Sequence, residues 1–130
     1  MKTKTDIRSR ADVEKLVISF YEKVKKDETI GIIFNDIMKV NWDDHIPVIV
    51  DFWDSVLLDA DVYHKNAMEP HFHINKIFPL QKQHFDTWLK LFLQTVDENF
   101  QGAVADLAKT RAKGIAGIMQ LKMDAINKIK

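Results

Sequence analysis

Apolar residues recur along this chain at helical intervals almost from end to end. Val13, Leu16, Val17, Phe20 and Val24 fall three and four residues apart, the spacing of one helix stripe. Ser9 and Asp12 form a capping box ahead of it, the serine accepting from first-turn amides while the aspartate reaches back. A short helix is expected over "TIGIIFNDI" (29–37). His45, Ile49, Phe52, Trp53 and Val56 make a second stripe. Pro47 lacks an amide and crowds the preceding turn, so this helix is expected to begin near Ile46 rather than run unbroken from Asn41.

A third helix resumes by Gln81, with Phe85, Trp88, Leu89, Phe92 and Val96 on one face and Gly102 suited to its C-terminal cap. The last is expected from Ala103 to Ile129, with Val104, Leu107, Arg111, Ile115, Ile118, Met119, Lys122 and Ile126 near one side. Between the helix from Ile46 and the one that resumes by Gln81, residues 59–80 hold two prolines and no sustained period. A loop of that length is uncommon in a compact domain and is usually functional. There is no alternating strand pattern, repeat or low-complexity segment. The expectation is one all-α domain spanning residues 1–130.

Composition narrows the function. Nineteen basic residues cancel nineteen acidic ones, which argues against the excess positive charge of nucleic-acid binding. The C-terminal lysines Lys113, Lys122, Lys128 and Lys130 read as a solvated helix face. Zero cysteines exclude disulfides, thiolate metal sites and a cysteine nucleophile, and leave the redox compartment open. "MKTKTDIRSRADVEKL" has charge but no apolar run, so it does not read as a secretory signal. No apolar stretch approaches the roughly 18 residues that span a bilayer. A cytoplasmic location without membrane partners is expected.

The chemistry is read first by exclusion. No histidine has a glutamate three residues before it, as di-iron bundles require. There is no His-Glu-x-x-His zinc helix, no glycine-rich phosphate loop and no Gly-x-Ser-x-Gly elbow. What draws the eye is "MEPHFHINKIFPLQKQHFDTWLKLF" (68–92), where His71, His73 and His84 stand beside Trp88 and a run of phenylalanines. On a helix the rings of His71 and His73 would diverge by about 200°. A two-histidine chelate is therefore a weak reading. A single imidazole over an aromatic pocket survives, and neutral histidine is the usual axial ligand of haem iron in oxygen carriers and peroxidases. Taken one at a time, however, each histidine also reads as a surface or hydrogen-bonded residue, and the aromatic stripe as plain core.

Taken in order, "FYEKVKKDETIGIIF" (20–34), "WDDHIPVIVDFW" (42–53), "HFHINKIFPLQKQHFDTWLKLF" (71–92) and "TVDENFQG" followed by "RAKGIA" resemble the third group of truncated haemoglobins, the bacterial 2-over-2 globins. The other truncated groups use paired glycines at turns, and this chain has none. The resemblance implies a truncated, 2-over-2 globin-like helical sandwich enclosing haem b (iron protoporphyrin IX).

It also implies roles residue by residue. His71 matches the proximal iron ligand, Tyr21 the distal tyrosine that donates a hydrogen bond to bound ligand, Trp88 the distal tryptophan and His45 the distal histidine. His84 matches a helix-start residue that caps or faces solvent, and His73 sits at a variable position. The apolar residues Phe34, Ile49, Phe52, Trp53 and Phe78 are the candidate haem walls. The implied function is binding of dioxygen, nitric oxide and carbon monoxide at a six-coordinate iron in a polar distal pocket. Oxygen or nitric-oxide redox chemistry with an external reductase is expected rather than transport: nitric-oxide dioxygenation or a peroxidase-like reaction. The alternative is a cofactor-free helical interaction module, which would carry the same stripes without requiring His71.

Overall fold

The computed structural model describes residues 4–37, 41–60, 75 and 79–129. Among them there are helices and no strands. Helix α1 (Arg10–Lys26) buries Val13, Leu16, Val17, Phe20, Tyr21 and Val24, the expected stripe with Tyr21 added to it. Ser9 is extended and its Oγ accepts from the Asp12 amide at 3.3 Å. The reciprocal bond is displaced by one residue, since the Asp12 carboxylate accepts from the Arg8 amide. The helix stops at Asp27, whose side chain accepts from the amides of Thr29 and Ile30 and turns the chain back over the helix end. Gly31 passes so close to the Val24 and Lys25 carbonyls that a Cβ there would lie 3.0 and 3.1 Å from their oxygens.

The short helix expected next is present, and its second part, Ile33–Ile37, is a wider π-helical turn. Helix α2 (Trp42–Leu58) then begins four residues before Ile46, with Pro47 inside it. The expectation from Pro47 is corrected here. Asn41 caps the helix through a 3.1 Å bond from the Asp43 amide, and its carbonyl accepts from Asp44 and His45. Asp43 and Asp44 favour the positive helix end, and Trp42 packs on Tyr21 and Phe34. Together these offset the roughly 3 kcal/mol that an interior proline costs.

The buried face of α2 is also turned by one position from the expected stripe. Val50, Trp53, Asp54 and Leu57 are buried, whereas Ile49, Phe52 and Val56 are half-buried against the core and His45 is half-buried beside them. This helix thus carries two apolar lines, one in the core and one along its edge. Arg10 ties α1 to it, donating to Asp51 at 2.7 Å and to buried Asp54 at 3.1 Å.

Most of the 59–80 segment lies outside the described residues. Asn75 has helical backbone, so the stretch is not wholly irregular. It is buried, its carboxamide oxygen accepts from the Leu80 amide at 2.8 Å, and its nitrogen donates to Asn127 at 3.0 Å. Helix α3 (Lys82–Asn99) starts where expected, after Gln81, and buries Phe85, Phe92 and Val96 with Trp88 and Leu89 at the edge. Its C-terminal cap is Phe100, not a turn at Gly102.

Helix α4 (Ala103–Ile129) has the expected bounds and an inner face that matches the expected one in part: Met119 is buried and Val104, Leu107 and Ile115 pack against the core. Ala105, Ala108, Ala112, Ala116, Met119 and Met123 are buried, while Arg111 and Lys122 are exposed and Ile118 is 57% exposed. Small alanines let this helix approach its neighbour closely, and that outranks the pull of scattered branched residues. Helices α1 and α2 form one pair, α3 and α4 a second, and α1 lies on α3 to join them. The join is aromatic: Phe92, fully buried, stacks on Trp53 at 4.7 Å and on Trp88 at 5.6 Å, with Phe20 edge-on at 5.3 Å.

Candidate functional site

Four rings meet where α1, the π-turn and the start of α2 converge. Tyr21 lies 5.5 Å from His45, 5.1 Å from Trp42 and 5.8 Å from Phe34, centroid to centroid. Phe34 stacks on Trp42 at 5.9 Å, and Trp42 stands edge-on to His45 at 5.7 Å. Tyr21 reaches this place because it follows Phe20 on the buried stripe of α1, so its ring points inward while Phe20 packs on Phe92. The π-turn widens the backbone spiral at Phe34, and the Asn35 carboxamide donates to the Lys25 carbonyl at 3.0 Å, pinning that turn to the end of α1.

Burial pushes the Tyr21 hydroxyl far above its usual pKa, so it stays a neutral donor and acceptor. The Nε2 of His45 is buried as well. The site is therefore an apolar surround with a phenol and an imidazole inside it, and both can serve as donors to a small polar ligand. The Lys25 ammonium lies 4.8 Å above the Trp42 ring, on the outer side of the cluster.

Of the expected residues, Tyr21, His45 and Phe34 come together directly. Trp88 stands one ring away: Phe20 touches Tyr21 at 4.9 Å and Trp88 at 5.7 Å, bridging the two. Ile49 and Phe52 extend the half-buried edge line of α2, and Trp53 is buried against Phe92. His71, His73 and Phe78 lie outside the described residues. His84 is a cap: its Nδ1 accepts from the Gln81 amide at 2.8 Å at the start of α3. Among the described residues no group of three or more histidine, cysteine or carboxylate side chains could hold a metal ion. Nor is any helix among them long and apolar enough to cross a membrane.

Trp42 was not among the expected site residues. The signal was present, because Trp42 precedes His45 by three residues and so shares its helix face. Starting α2 at Ile46 hid it, since that left Trp42 and His45 outside the helix.

A flat apolar macrocycle fits these residues. Phe34, Ile49, Phe52 and Trp88 are half-buried and keep apolar surface at the edge of the core, and the buried Tyr21 phenol and the buried Nε2 of His45 lie beside Phe34, the donor set a haem distal side uses.

Comparison with known proteins agrees with the geometry. The model of the bacterial-like globin family matches residues 6–127. The group 3 truncated haemoglobin of Campylobacter jejuni is 30% identical over 115 residues, covering 86% of this chain and 88% of that protein. The crystal structure of a group III truncated haemoglobin from the same organism superposes with a TM-score of 0.82 at 29% identity, covering 93% of this chain and 95% of that one. The chain belongs to the bacterial-like globin family and has the truncated-globin fold, which implies a haem-binding globin.

Proposed function

We propose that this protein holds haem b through His71 and binds dioxygen and nitric oxide, with carbon monoxide as a further ligand, at a six-coordinate iron. Tyr21, His45 and Trp88 face the ligand side, and Phe34, Ile49, Phe52, Trp53 and Phe78 wall the macrocycle. The observation that carries this reading is the Tyr21–His45 pair, 5.5 Å apart inside an aromatic surround and next to the half-buried edge of α2. Haem supplies an iron that coordinates a diatomic ligand and exchanges electrons with it.

The chain's own residues do the rest. The Tyr21 hydroxyl, kept protonated by burial, donates to a ligand whose outer atom carries partial negative charge. Trp88 adds an indole N–H, and His45 controls access. If each buried hydrogen bond contributes roughly 0.5–1.5 kcal/mol, Tyr21 and Trp88 together supply up to about 3 kcal/mol, on the order of a hundredfold in affinity. Binding that tight and slow to release suits redox use of the ligand better than transport. The proposed reaction is nitric-oxide dioxygenation or peroxide handling, served by a separate reductase in the cytoplasm.

The test is the absorption spectrum of the purified protein. A Soret band at about 400 nm, the absorption of a bound iron porphyrin, should be lost or reshaped in His71→Ala, which removes the axial imidazole, and kept in His84→Ala. A colourless protein that refuses added haemin would remove the reading.

A further inference from the structure

We propose that Trp42 is a positioning residue that holds His45 over the distal site, an inference that rests on the haem reading above. Trp42 is the first residue of α2 and lies three residues before His45, so the two rings sit one turn apart on the same face. The imidazole is bounded by three rings: Tyr21 at 5.5 Å, Trp42 at 5.7 Å and Phe34 at 6.4 Å. Tyr21 is buried, whereas Phe34 and Trp42 are half-buried and stacked on one another. Tyr21 is thus the inner wall of the histidine's cage, and the Phe34–Trp42 stack is its outer wall. An outward swing of His45 has to pass the indole.

The indole is itself held from several sides. Tyr21 packs on it at 5.1 Å and Phe34 at 5.9 Å. The Lys25 ammonium covers its ring at 4.8 Å and is kept in place by Glu22 at 3.3 Å. The Lys25 carbonyl in turn accepts from Asn35, next to Phe34. The end of α1 therefore sets the position of Trp42, and Trp42 sets the position of His45. Tyr21 and His45 supply polar contact to a ligand, and Trp42 acts only through the histidine.

Two measurements test this on the ferrous carbon-monoxide form, which is diamagnetic. The first is the carbon–proton spectrum of the His45 ring, assigned by its loss in His45→Leu. The second is carbon-monoxide rebinding after flash photolysis. In Trp42→Leu the His45 signal should lose its ring-current shift and split or broaden. Association from solvent should rise about tenfold, the change that roughly 1.4 kcal/mol off a barrier gives. Trp42→Phe should retain most of the wild-type behaviour. Lys25→Met, an outer substitution that leaves the core intact, should move the His45 signal in the same direction by less, and this keeps the test available if Trp42→Leu folds poorly.

The proposal is overturned if the His45 signal is unchanged in Trp42→Leu or, where that variant does not fold, in Lys25→Met. It is also overturned if Trp42→Leu speeds rebinding equally in a His45→Leu background, because the indole would then act without the histidine. Failure to take up haem removes the preceding reading instead, and the His45 signal of the haem-free protein still decides the role of Trp42.

Discussion

The Asp6 carboxylate occupies the volume that a side chain on Gly102 would need. Gly102 has a φ of +149°, and a Cβ on it would overlap the Asp6 side chain. The helix that follows has only this glycine just before its first turn, so Asp6, 98 residues before Val104, supplies the missing acceptor to the Val104 amide at 3.0 Å and to Ala105 at 2.8 Å. Desolvation works against the charge, but the amides of Val104, Ala105 and Ile7 outweigh it and hold the Asp6 pKa below its usual value.

Gly102→Ala is therefore expected to destabilise by about 2–4 kcal/mol, combining backbone strain with loss of the cap, and Asp6→Ala by about 1–2 kcal/mol. In the double variant the losses should not add, since only one cap exists to be lost. Urea unfolding of the three variants measures this, and additive losses would separate the two residues. Because the folded pKa of Asp6 is depressed, its contribution is present above the unfolded value of about 3.8 and is lost as pH falls through the folded value.

His84 makes stability depend on pH in a different window. Burial lowers its pKa from 6.5, and its Nδ1 must be unprotonated to accept from the Gln81 amide. A depressed folded pKa means the contribution is whole above about pH 6.5 and declines as pH falls through the folded value. His84→Gln keeps an acceptor at this position and does not titrate here. It should match wild-type stability at neutral pH and show a flatter profile as pH falls below about 6.5. Equal slopes in the two proteins would assign the pH dependence to other groups.

Phe92 lies at the centre of the aromatic contact between the two helix pairs, fully buried and stacked on both Trp53 and Trp88. Truncation to alanine should cost about 3–5 kcal/mol, the range for a buried phenylalanine. Phe92→Leu should cost less but should still loosen Trp88, because the flat face it stacks on is gone. Near-ultraviolet circular dichroism reads that second effect. An unaltered tryptophan signal in Phe92→Leu would mean that the stack does not order Trp88.

Among the described residues, the order of the helices and most of their boundaries were legible because the stripes on α1 and α3 are made of large apolar residues at regular spacing, and such stripes have one place to go. The misreadings have a common cause: local rules were outweighed by distant partners. Pro47 argued for a late start to α2, but the Asn41 cap and the packing of Trp42 on Tyr21 bring the start forward. On α4 the inner face is alanine and methionine, residues whose weight appears only once a neighbouring helix is close enough to touch them. Gly102 reads as the end of one helix until Asp6, far away in sequence, is seen at the start of the next. That Tyr21, Phe34 and His45 lie together follows from the stripes and the ordered motifs, whereas the place of Trp42 among them was hidden behind the proline.

Tyr21 offers the sharpest test of the distal reading, because it is both the most buried donor of the cluster and one with a known direction of titration. Tyr21→Phe removes one hydroxyl and leaves the ring against Phe20, Phe34, Trp42 and His45. Loss of one buried hydrogen bond, about 0.5–1.5 kcal/mol, should speed dioxygen dissociation by up to about tenfold. Carbon monoxide carries less charge on its outer atom, so its dissociation should change less. Burial also predicts a flat dioxygen dissociation rate as pH rises past about 10, where an exposed phenol would ionise and cease to donate. Above that pH, unfolding should become easier, because the exposed tyrosine of the unfolded chain gives up its proton while the folded one keeps it. Stopped-flow displacement of dioxygen by carbon monoxide, run across pH on wild type and Tyr21→Phe, reads these outcomes together. If the two proteins release dioxygen at the same rate, the Tyr21 hydroxyl has no part in holding the ligand.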